Sequence, residues 1–209
     1  KASRIVVATD HEAVVTALRG SNCETVMTSP ELQSGTDRLA SAAEYLALDE
    51  GTVVVNLQGD EPLMPPECLD EVAEGLVRSN ADMATLACRF DSSEMPSDEN
   101  SVKVVTTEEG RALYFSRALI PFDRDGIAVT GDAAYRRHIG LYAYRVNFLK
   151  EFVHWPCGQL ENLEKLEQLR ALQRGRSIQV LEAPRIVPPG VDTERDLAIA
   201  RSHYQELNK

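Results

Sequence analysis

The sequence predicts an α/β fold in which a central, mostly parallel sheet is flanked by helices. Short β-rich runs alternate with helical patterns from the first residues onward, an order typical of parallel strands linked by helices. Residues 53–57 are apolar except for Asn56, as expected of a central strand covered on both faces. With 209 residues, 43% of them hydrophobic, the chain can bury the core of one large domain.

The first part of the chain supplies these elements in regular order. Residues 5–8 and 25–27 are predicted strands, with a helix over residues 12–18 between them. Another helix is predicted over residues 67–79, because apolar residues recur there at helical spacing and acidic residues lie outside the stripe. The stripe comprises Cys68, Leu69, Val72, Ala73, Leu76 and Val77.

The middle of the chain departs from this order and predicts a subsidiary lobe around residues 102–160. Polar residues and proline dominate residues 91–100, which indicates a surface loop. Charges and glycines replace core residues over 123–134, as in a mobile insertion. Further strands are predicted over residues 102–106, 112–115 and 138–144.

Two helices are predicted in the last part of the chain. Leucines at positions 160, 163, 166 and 169 indicate one helix, which Gly175 can terminate. Thr193 and Asp196 form a capping pair that opens the final helix.

Composition excludes several classes of partner. The formal charge of −11 argues against nucleic acid, because binding to polyphosphate normally needs a dense basic surface, whereas an acidic small molecule needs only a few arginines in a cleft. No apolar run approaches the roughly 20 residues that cross a bilayer, and no signal peptide opens the sequence, so a cytoplasmic protein without a membrane partner is predicted. The four cysteines are too widely spaced for a disulfide framework or zinc motif and are expected to be reduced, mostly in the core.

The strongest chemical signal is the segment Gln58-Gly59-Asp60-Glu61-Pro62, directly after the apolar strand, where ligands of open α/β sheets bind. Gly59 is expected to let the backbone turn and Pro62 to delay the next helix. Asp60 can then offer a hard oxygen to Mg²⁺, which takes one or two protein carboxylates beside water and phosphate. An acidic turn without a ligand explains the same residues.

Asp192, which precedes the proposed cap of the final helix, is a second candidate carboxylate. It can simply favour the helix N-terminus. If it meets Asp60 in space, one ion can bridge both acids to a triphosphate.

Residues 33–38 precede a helical stretch and combine small side chains with free backbone N–H groups, which suit a base or a phosphate. An ordinary helix start, capped by Thr36 or Asp37, is the alternative.

Polar residues near the later strands are candidates for binding an acidic ligand. Arg117 and Arg124 can each bind a carboxylate through paired guanidinium bonds, although most arginines are simply solvated. His138, at the start of a predicted strand, also fits a hydrogen-bonded structural histidine. Glu167 and Gln168 either face a ligand or are ordinary exposed helix residues.

Taken together, these segments resemble the 3-deoxy-manno-octulosonate cytidylyltransferases, also called CMP-Kdo synthetases. The resemblance extends in order over nearly the whole chain, through residues 5–10, 33–38, 56–62, 102–105, 112–125, 138–144, 166–170 and 190–197.

The resemblance implies a nucleotide-diphospho-sugar transferase (Rossmann-like) fold, a homodimer, and attack by the anomeric hydroxyl of Kdo on the α-phosphate of CTP with loss of pyrophosphate, for lipopolysaccharide biosynthesis. It implies that Asp60 and Asp192 are catalytic and bind Mg²⁺. Other residues match motif positions around the sugar or the cytosine. The sugar set is Gln58, Arg117, His138, Tyr142, Glu167 and Gln168; the cytosine loop is Ser34, Gly35 and Thr36; Arg124 lies in a matching motif without an assigned role.

Two departures from the family pattern carry expectations of their own. The family normally opens with a strand and an arginine-rich loop, with a lysine near its end, that grips the triphosphate. This sequence begins at Lys1 without them, so a single domain over residues 1–209 that is incomplete at its N-terminus is expected, with part of the negative charge due to truncation. Leu32 stands where the family has a histidine.

Two alternatives to the Kdo enzyme stay open at the level of sequence. One is a cytidylyltransferase for another acidic sugar, such as a sialic acid or amino-Kdo. The other is a non-catalytic fragment that binds the sugar or a dimer partner but cannot hold CTP.

Overall fold

A computed structural model describes residues 1–32, 34–90, 95–126, 134–188, 190–191 and 193–207. The strands among these residues are β1 (Val6–Thr9), β2 (Glu24–Met27), β3 (Val53–Asn56), β4 (Met83–Arg89), β5 (Lys103–Thr106), β6 (Ala112–Ser116), β7 (Arg136–Arg145) and β8 (Ile178–Glu182). The helices are α1 (Glu12–Ala17), α2 (Gly35–Tyr45), α3 (Pro66–Ser79), α4 (Val146–Val153), α5 (Gln159–Glu164), α6 (Leu169–Gln173) and α7 (Glu194–Leu207).

The main sheet has six strands in the order β6-β5-β7-β4-β8, and β3 pairs with the edge of β7 that β5 also contacts. Strand β4 runs parallel to β8, whereas β3, β4 and β5 all run antiparallel to β7. The predicted central sheet flanked by helices is confirmed. Most of its neighbouring pairs are nevertheless antiparallel, because β7 runs against the common direction of β3, β4, β5 and β8. Strands β1 and β2 form a separate parallel pair.

Alternation along β4 divides the interior into two cores, one on each face of the sheet. Met83 and Ala87 pack into the first core with residues of α2 and α4, while Ala84 and Leu86 pack into the second with residues of α3. The sheet is therefore covered by helices on both faces, as the sequence predicts. Strand β4 has the apolar run of a buried strand, but its place between β7 and β8 is not apparent from the sequence.

Strand β3 is covered on both faces as predicted, because Val54 packs against the first core and Val53 and Val55 against the second. Its predicted central position is wrong within the described chain. Only one edge of β3 pairs, with β7, and its other side borders an apolar cavity of about 380 Å³ that also reaches β1, α2 and α3.

Helix α3 confirms the predicted helix at residues 67–79 and most of its stripe. Cys68, Val72 and Leu76 have no exposed surface, whereas Val77 is 57% exposed and does not belong to the buried face. The helix approaches β8 closely at Gly75, where a Cβ atom would lie 2.0 Å from Leu181 Cδ1. Glycine is therefore needed here for space.

The predicted strands of the middle region are confirmed as β5, β6 and β7. They join the main sheet, with β7 near its centre and β5 and β6 at one side. The division into a main domain and a lobe at 102–160 stays a prediction. Residues 91–94 of the predicted loop and 127–133 of the predicted insertion lie outside the described residues.

The single leucine helix predicted from residue 160 to 169 is wrong, because the chain forms α5 and α6 with a break at Lys165, whose φ is 55°. Leu163 is consequently 73% exposed, while Leu166 and Leu169 are buried. Gly175 follows α6 with a φ of 70°, as a helix-ending glycine should. The Thr193 and Asp196 capping pair of α7 is confirmed, because Asp196 N donates to Thr193 Oγ1 at 3.2 Å and Thr193 N to Asp196 Oδ2 at 2.9 Å.

Within the described ranges, no helix is long and apolar enough to cross a membrane. The cysteines are all free thiols, as predicted. The expectation that they lie mostly in the core is wrong, because only Cys68 is buried, Cys23 and Cys88 are partly exposed, and Cys157 is exposed.

Candidate active site

The turn that follows β3 presents Asp60 at the surface. Its carboxylate is exposed and makes no hydrogen bond or ion pair with any residue that the structure describes. The turn is closed by Glu61 N, which donates to Gln58 O at 3.1 Å. Gly59 is dispensable for this geometry, contrary to expectation, because its φ is not positive and an added Cβ would meet no atom within 4 Å.

The segment before α7 lies directly against this turn. Val191 N donates to the backbone oxygen of Asp60 at 2.7 Å. A Cβ on Gly190 would stand 3.2 Å from the same oxygen, so glycine allows the two segments to approach. Asp192 itself lies outside the described residues. Val191, which directly precedes Asp192, is nevertheless hydrogen-bonded to Asp60, although the two residues are far apart in sequence.

The start of α2 forms the second side of the site. Ser34 is the helix N-cap, because its Oγ accepts from Asp37 N and its own N donates to the Asp37 carboxylate, both at 3.1 Å. The predicted cap at Thr36 or Asp37 is therefore wrong by a few positions. Gly35 faces Gln58, whose Nε2 would lie 3.0 Å from a Cβ on that glycine. This contact joins the proposed cytosine loop to the turn that carries Asp60. Gln33 lies outside the described residues.

Thr36 connects the same loop to the segment before α6. Its side chain is buried, and its hydroxyl donates to Glu167 Oε2 at 2.5 Å. Burial raises the pKa of the Glu167 carboxyl, while the Thr36 bond, the Arg170 charge and a bond with Ser34 oppose the rise. The alternative that Glu167 and Gln168 are ordinary exposed helix residues is wrong, because Gln168 is only 5% exposed and Glu167 is half-buried.

Two buried polar atoms of this pair have no hydrogen-bond partner among the residues that the structure describes: Glu167 Oε1 and Gln168 Nε2. One is an acceptor and the other a donor. Buried polar atoms in native proteins are almost always paired, so two such atoms on consecutive residues indicate a place where a ligand completes the bonding.

Three aromatic side chains on β7 form one side of the candidate site: His138, Tyr142 and Tyr144. The rings of His138 and Tyr142 lie 5.4 Å apart, and those of Tyr142 and Tyr144 6.0 Å apart. Burial, with smaller contributions from Tyr144 and Glu167, holds the pKa of Tyr142 well above its ordinary value, so its hydroxyl keeps its proton. Burial also raises the pKa of Tyr144, although side-chain hydrogen bonds with Thr36 and Asn56 oppose this.

His138 is neutral at physiological pH, because burial and the charge of Arg137 lower its pKa to about 3. Its Nε2 lies 3.0 Å from Thr85 Oγ1, and that hydroxyl also lies within 3.0 Å of the carbonyl oxygens of Ile139 and Leu141. A hydroxyl has only one proton to donate, so the imidazole Nε2–H is the donor to Thr85. Nδ1 is then left as an acceptor.

Arg117 is fixed at the end of β6 by backbone oxygens. Its Nε donates to Glu164 O at 2.9 Å and its Nη1 to Glu99 O at 3.0 Å. The backbone is fixed as well, because Arg117 O accepts from the fully buried Lys103 Nζ at 2.6 Å. The side chain is thus oriented before any ligand arrives, and Nη2 makes no hydrogen bond to a described residue. Arg124 is exposed and makes no hydrogen bond or ion pair with a described residue.

The structure therefore joins most of the predicted site residues through contacts that the sequence does not reveal. Gln58 meets Gly35, Thr36 meets Glu167, and the rings of His138 and Tyr142 adjoin them along β7. Several residues that hold this arrangement were not predicted. They are Asn56, Thr85, Lys103, Tyr144, Glu161, Glu164 and Arg170.

The residues around Asp60 fit the magnesium that the family resemblance implies. The carboxylate is a hard oxygen donor that is exposed and unused, and a second segment lies against its backbone. No group of three or more His, Cys, Asp or Glu that could hold a metal occurs in the described part of the chain. Magnesium does not require one, since one or two carboxylates with substrate phosphate and water are its usual ligands.

Comparison with known proteins gives consistent matches. The family model described as cytidylyltransferase matches residues 1–178. A 3-deoxy-manno-octulosonate cytidylyltransferase from Haemophilus influenzae strain Rd is 46% identical over 208 residues, which cover 96% of this chain and 82% of that protein. The protein of the same name from Yersinia enterocolitica serotype O:8 is 47% identical over 204 residues, with the same coverage of 96% and 82%. A solved structure of CMP:2-keto-3-deoxy-manno-octonic acid synthetase complexed with CTP superimposes with a TM-score of 0.86 at 33% identity, covering 98% of this chain and 82% of that one.

Proposed function

The chain belongs to the cytidylyltransferase family and, within it, to the 3-deoxy-manno-octulosonate cytidylyltransferases, and from this membership we propose how its site works. The enzyme transfers CMP from CTP to the acidic sugar 3-deoxy-manno-octulosonate and releases pyrophosphate. The observation that carries the proposed site is a pair of buried atoms on consecutive residues, Glu167 Oε1 and Gln168 Nε2, that have no hydrogen-bond partner among the described residues. Thr36 links Glu167 to the loop at residues 34–36, and Gly35 of that loop contacts Gln58.

We propose that the sugar binds over β7, between Arg117 and the Glu167–Gln168 pair. Glu167 Oε1 and His138 Nδ1 accept bonds from sugar hydroxyls, while Gln168 Nε2 and the protonated Tyr142 hydroxyl donate. Arg117 offers Nη2 and the remaining hydrogen of Nη1 to the sugar carboxylate, because Nε is bonded to Glu164 O and Nη1 donates to Glu99 O. Glu167, His138 and Arg117 are fixed by their own hydrogen bonds, which favours one orientation of the attacking anomeric hydroxyl.

We propose that the nucleotide lies between the loop at residues 34–36 and the Asp60 turn, with Gln58 at the junction of the two. Asp60 and Asp192 would hold magnesium there, and the bound ion would neutralise charge on the triphosphate. The bond from Val191 N to the backbone oxygen of Asp60 supports this arrangement, because Val191 directly precedes Asp192 in the sequence. No covalent intermediate on the protein is needed, since the sugar hydroxyl attacks the α-phosphate directly and pyrophosphate leaves with the displaced bond electrons.

The proposal predicts that pyrophosphate release requires CTP, magnesium and the sugar together. Asp60→Ala should abolish release without lowering the melting temperature, because the carboxylate has no partner among the described residues. The control is Glu12→Gln, which changes an exposed acid on α1 and should leave turnover as in the wild type. Unchanged turnover in Asp60→Ala would contradict the proposal.

Competition among acidic sugars in the same assay tests the substrate. Kdo should be used in preference to a sialic acid or amino-Kdo, and preference for either of these would replace the proposed substrate within the same family. Calorimetry addresses the fragment alternative, because binding of the sugar with no binding of CTP would indicate that the chain alone is not catalytic.

We also propose that the enzyme is a homodimer that associates around β6. Leu113 on β6 and Leu163 on α5 are exposed by 60% and 73%, and Phe122 in the loop after β6 by 83%, which is a large apolar exposure for a monomer. Strand β6 and helix α5 are adjacent, since Ser116 Oγ donates to Glu164 Oε1 at 2.6 Å. A cytoplasmic location stays a prediction of the sequence.

A further inference from the structure

Three charged side chains form a line beneath the proposed sugar site: Glu161 on α5, Arg170 on α6 and Glu167 just before α6. Arg170 Nε donates to Glu161 Oε2 at 2.8 Å and its Nη2 to Glu161 Oε1 at 2.6 Å. The same Nη2 lies 3.5 Å from Glu167 Oε1. The guanidinium is thus shared unequally between two carboxylates.

The pair of Glu161 and Arg170 is fixed tightly. Their side chains are only 10% and 12% exposed, and the guanidinium carbon lies 4.7 Å from the centre of the Phe152 ring. Gly158 N also donates to Glu161 Oε2, at 3.1 Å, which ties the carboxylate to the start of α5. Paired bonds of this kind fix the plane of the guanidinium as well as its position.

The positive charge of Arg170 acts on the Glu167 carboxylate, although Arg170 donates no hydrogen bond to it. Its Oε2 accepts from Thr36, whereas Oε1 is buried and has no hydrogen-bond donor, although Nη2 is 3.5 Å away. Arg170 directs its Nε and one hydrogen of Nη2 to Glu161, and makes only the 3.5 Å ion pair with Glu167. The positive charge of Arg170 therefore opposes the effect of burial on the Glu167 carboxylate, while Oε1 is left available to a ligand.

We infer that Arg170, held by Glu161, is a positioning residue that keeps Glu167 ionised and keeps its Oε1 open for the sugar. The inference rests on the proposed function, in which Glu167 accepts a bond from a sugar hydroxyl. An acidic sugar and a triphosphate both disfavour a carboxylate in their site, so a buried positive charge behind that carboxylate offsets the repulsion. Arg170 acts only through Glu167.

The pH dependence follows from the groups that face Glu167. These are Ser34 and Thr36 from α2, Tyr142 and Tyr144 from β7, Arg170 from α6, and Glu161 from α5. Arg170 is the cation among them, and it lowers the pKa of Glu167, whereas Glu161 acts in the opposite direction and more weakly. Loss of Arg170 should move the titration of Glu167 to higher pH, so that binding of the sugar is lost at a higher pH on acidification.

The test without sugar follows the carboxyl ¹³C resonance of Glu167 with pH, assigned by its loss in Glu167→Gln. The main variant is the double Arg170→Gln with Glu161→Gln, which replaces the ion pair with two amides and avoids a buried, unpaired carboxylate. In this double variant, the midpoint of the Glu167 titration should move to higher pH. Glu161→Gln alone should move the midpoint to lower pH, because Arg170 is then free to bond Oε1.

Arg174→Gln is the control, since Arg174 is exposed at the C-terminal end of the same helix and should leave the midpoint unchanged. An unchanged midpoint in the double variant would overturn the inference.

The test with sugar measures the Kd for Kdo by calorimetry at pH 7. The double variant and Glu161→Gln should each weaken binding by about tenfold or more, as expected for loss of a charge-assisted hydrogen bond, while Arg174→Gln binds as the wild type does. The positioning role would be overturned if the titration midpoint of Glu167 were displaced in both variants while the Kd for Kdo stayed unchanged. If the wild-type protein binds no Kdo, the proposed function fails, and the midpoints still decide whether Arg170 controls Glu167.

Discussion

His138 is held neutral by its surroundings, and this determines both its hydrogen bonding and its effect on stability. Its ring is enclosed by Phe115, at a centroid distance of 5.0 Å, and by Tyr142, and it donates to Thr85. A charged imidazole would also be repelled by Arg137 next to it in sequence. The folded protein therefore favours the neutral imidazole of His138.

Protonation of His138 should destabilise the fold in acid. In the unfolded chain its pKa returns to about 6.5, whereas in the folded chain it is about 3. The unfolded state thus binds more protons between these values, and stability contributed by the neutral ring is complete above pH 6.5 and is lost as the pH falls towards 3. The slope from this group is at most about 1.4 kcal/mol per pH unit.

Urea unfolding of the wild type and His138→Gln at pH 7 and pH 5 measures this contribution. The variant should lose less stability between the two pH values than the wild type does. His203→Gln, which changes an exposed histidine on α7, should keep the wild-type dependence. Equal pH dependence in the wild type and His138→Gln would contradict the assignment.

Single residues also show where sequence reasoning stops. Asp60 could be selected from the sequence, because an acid directly after an apolar strand is a local pattern. Lys103 could not, since a lysine in a short strand is expected to reach solvent, whereas here its ammonium donates to the carbonyl oxygens of Asp98, Ser101 and Arg117 and is fully buried. Those partners are set by how loops pack, which local periodicity does not encode.

At the scale of elements, the packing of α3 against β8 depends on the absence of a side chain at Gly75. Replacing it with alanine would bring the new Cβ to 2.0 Å from Leu181 Cδ1 and 2.9 Å from Leu181 Cγ. Overpacking of this kind costs about 1–3 kcal/mol, which exceeds the gain of up to about 1 kcal/mol from better helix propensity. Helix and strand would have to move apart, or Leu181 would have to change rotamer.

Gly75→Ala should therefore lower the free energy of unfolding by about 1 kcal/mol or more, as measured in urea. Adding Leu181→Ala should make the Gly75→Ala change nearly neutral, because the obstructing side chain is gone. Gly51→Ala is the matched control, since a Cβ there meets nothing within 4 Å. Equal costs for Gly75→Ala with and without Leu181 would show that the contact does not limit packing.

Elements were predictable where one periodicity covers the whole segment. The stripe of α3 and the strands β5 and β7 follow directly from such patterns. Pairing was not predictable, because the apolar run of β3 reports burial on both faces and says nothing about which strand lies beside it. The break at Lys165 was missed for a related reason: leucines spaced three apart continue through it, although a φ of 55° ends α5 there.

At the scale of the whole molecule, the exposed apolar side chains around β6 predict a dimer. By light scattering after size exclusion, the wild type should have twice the chain mass of 23.1 kDa. Leu113→Asp combined with Phe122→Asp should give a monomer, because charges would then have to be buried in the interface. Ile186→Asp is the control, since Ile186 is 86% exposed but lies between β8 and α7. A monomeric wild type, or dissociation by Ile186→Asp alone, would contradict this interface.

The site as a whole is assembled by contacts between segments that are distant in sequence. Thr36 and Glu167 lie 131 positions apart and share a hydrogen bond, and no local pattern links them. The resemblance to a known family placed both residues at the site, whereas residue-by-residue interpretation left each with an ordinary structural explanation. The supporting pair of Glu161 and Arg170 was missed by both routes, because it acts behind the residues that face the ligand.

Binding of Mn²⁺ in place of Mg²⁺, followed by electron paramagnetic resonance in the presence of CTP, tests most directly whether Asp60 and Asp192 hold one metal. The wild type should bind one tight Mn²⁺ per chain. Asp60→Asn and Asp192→Asn should each weaken that same site by at least about tenfold, whereas Glu194→Gln, an exposed acid two positions after Asp192, should not. Wild-type affinity in either aspartate variant would show that the two acids do not share an ion.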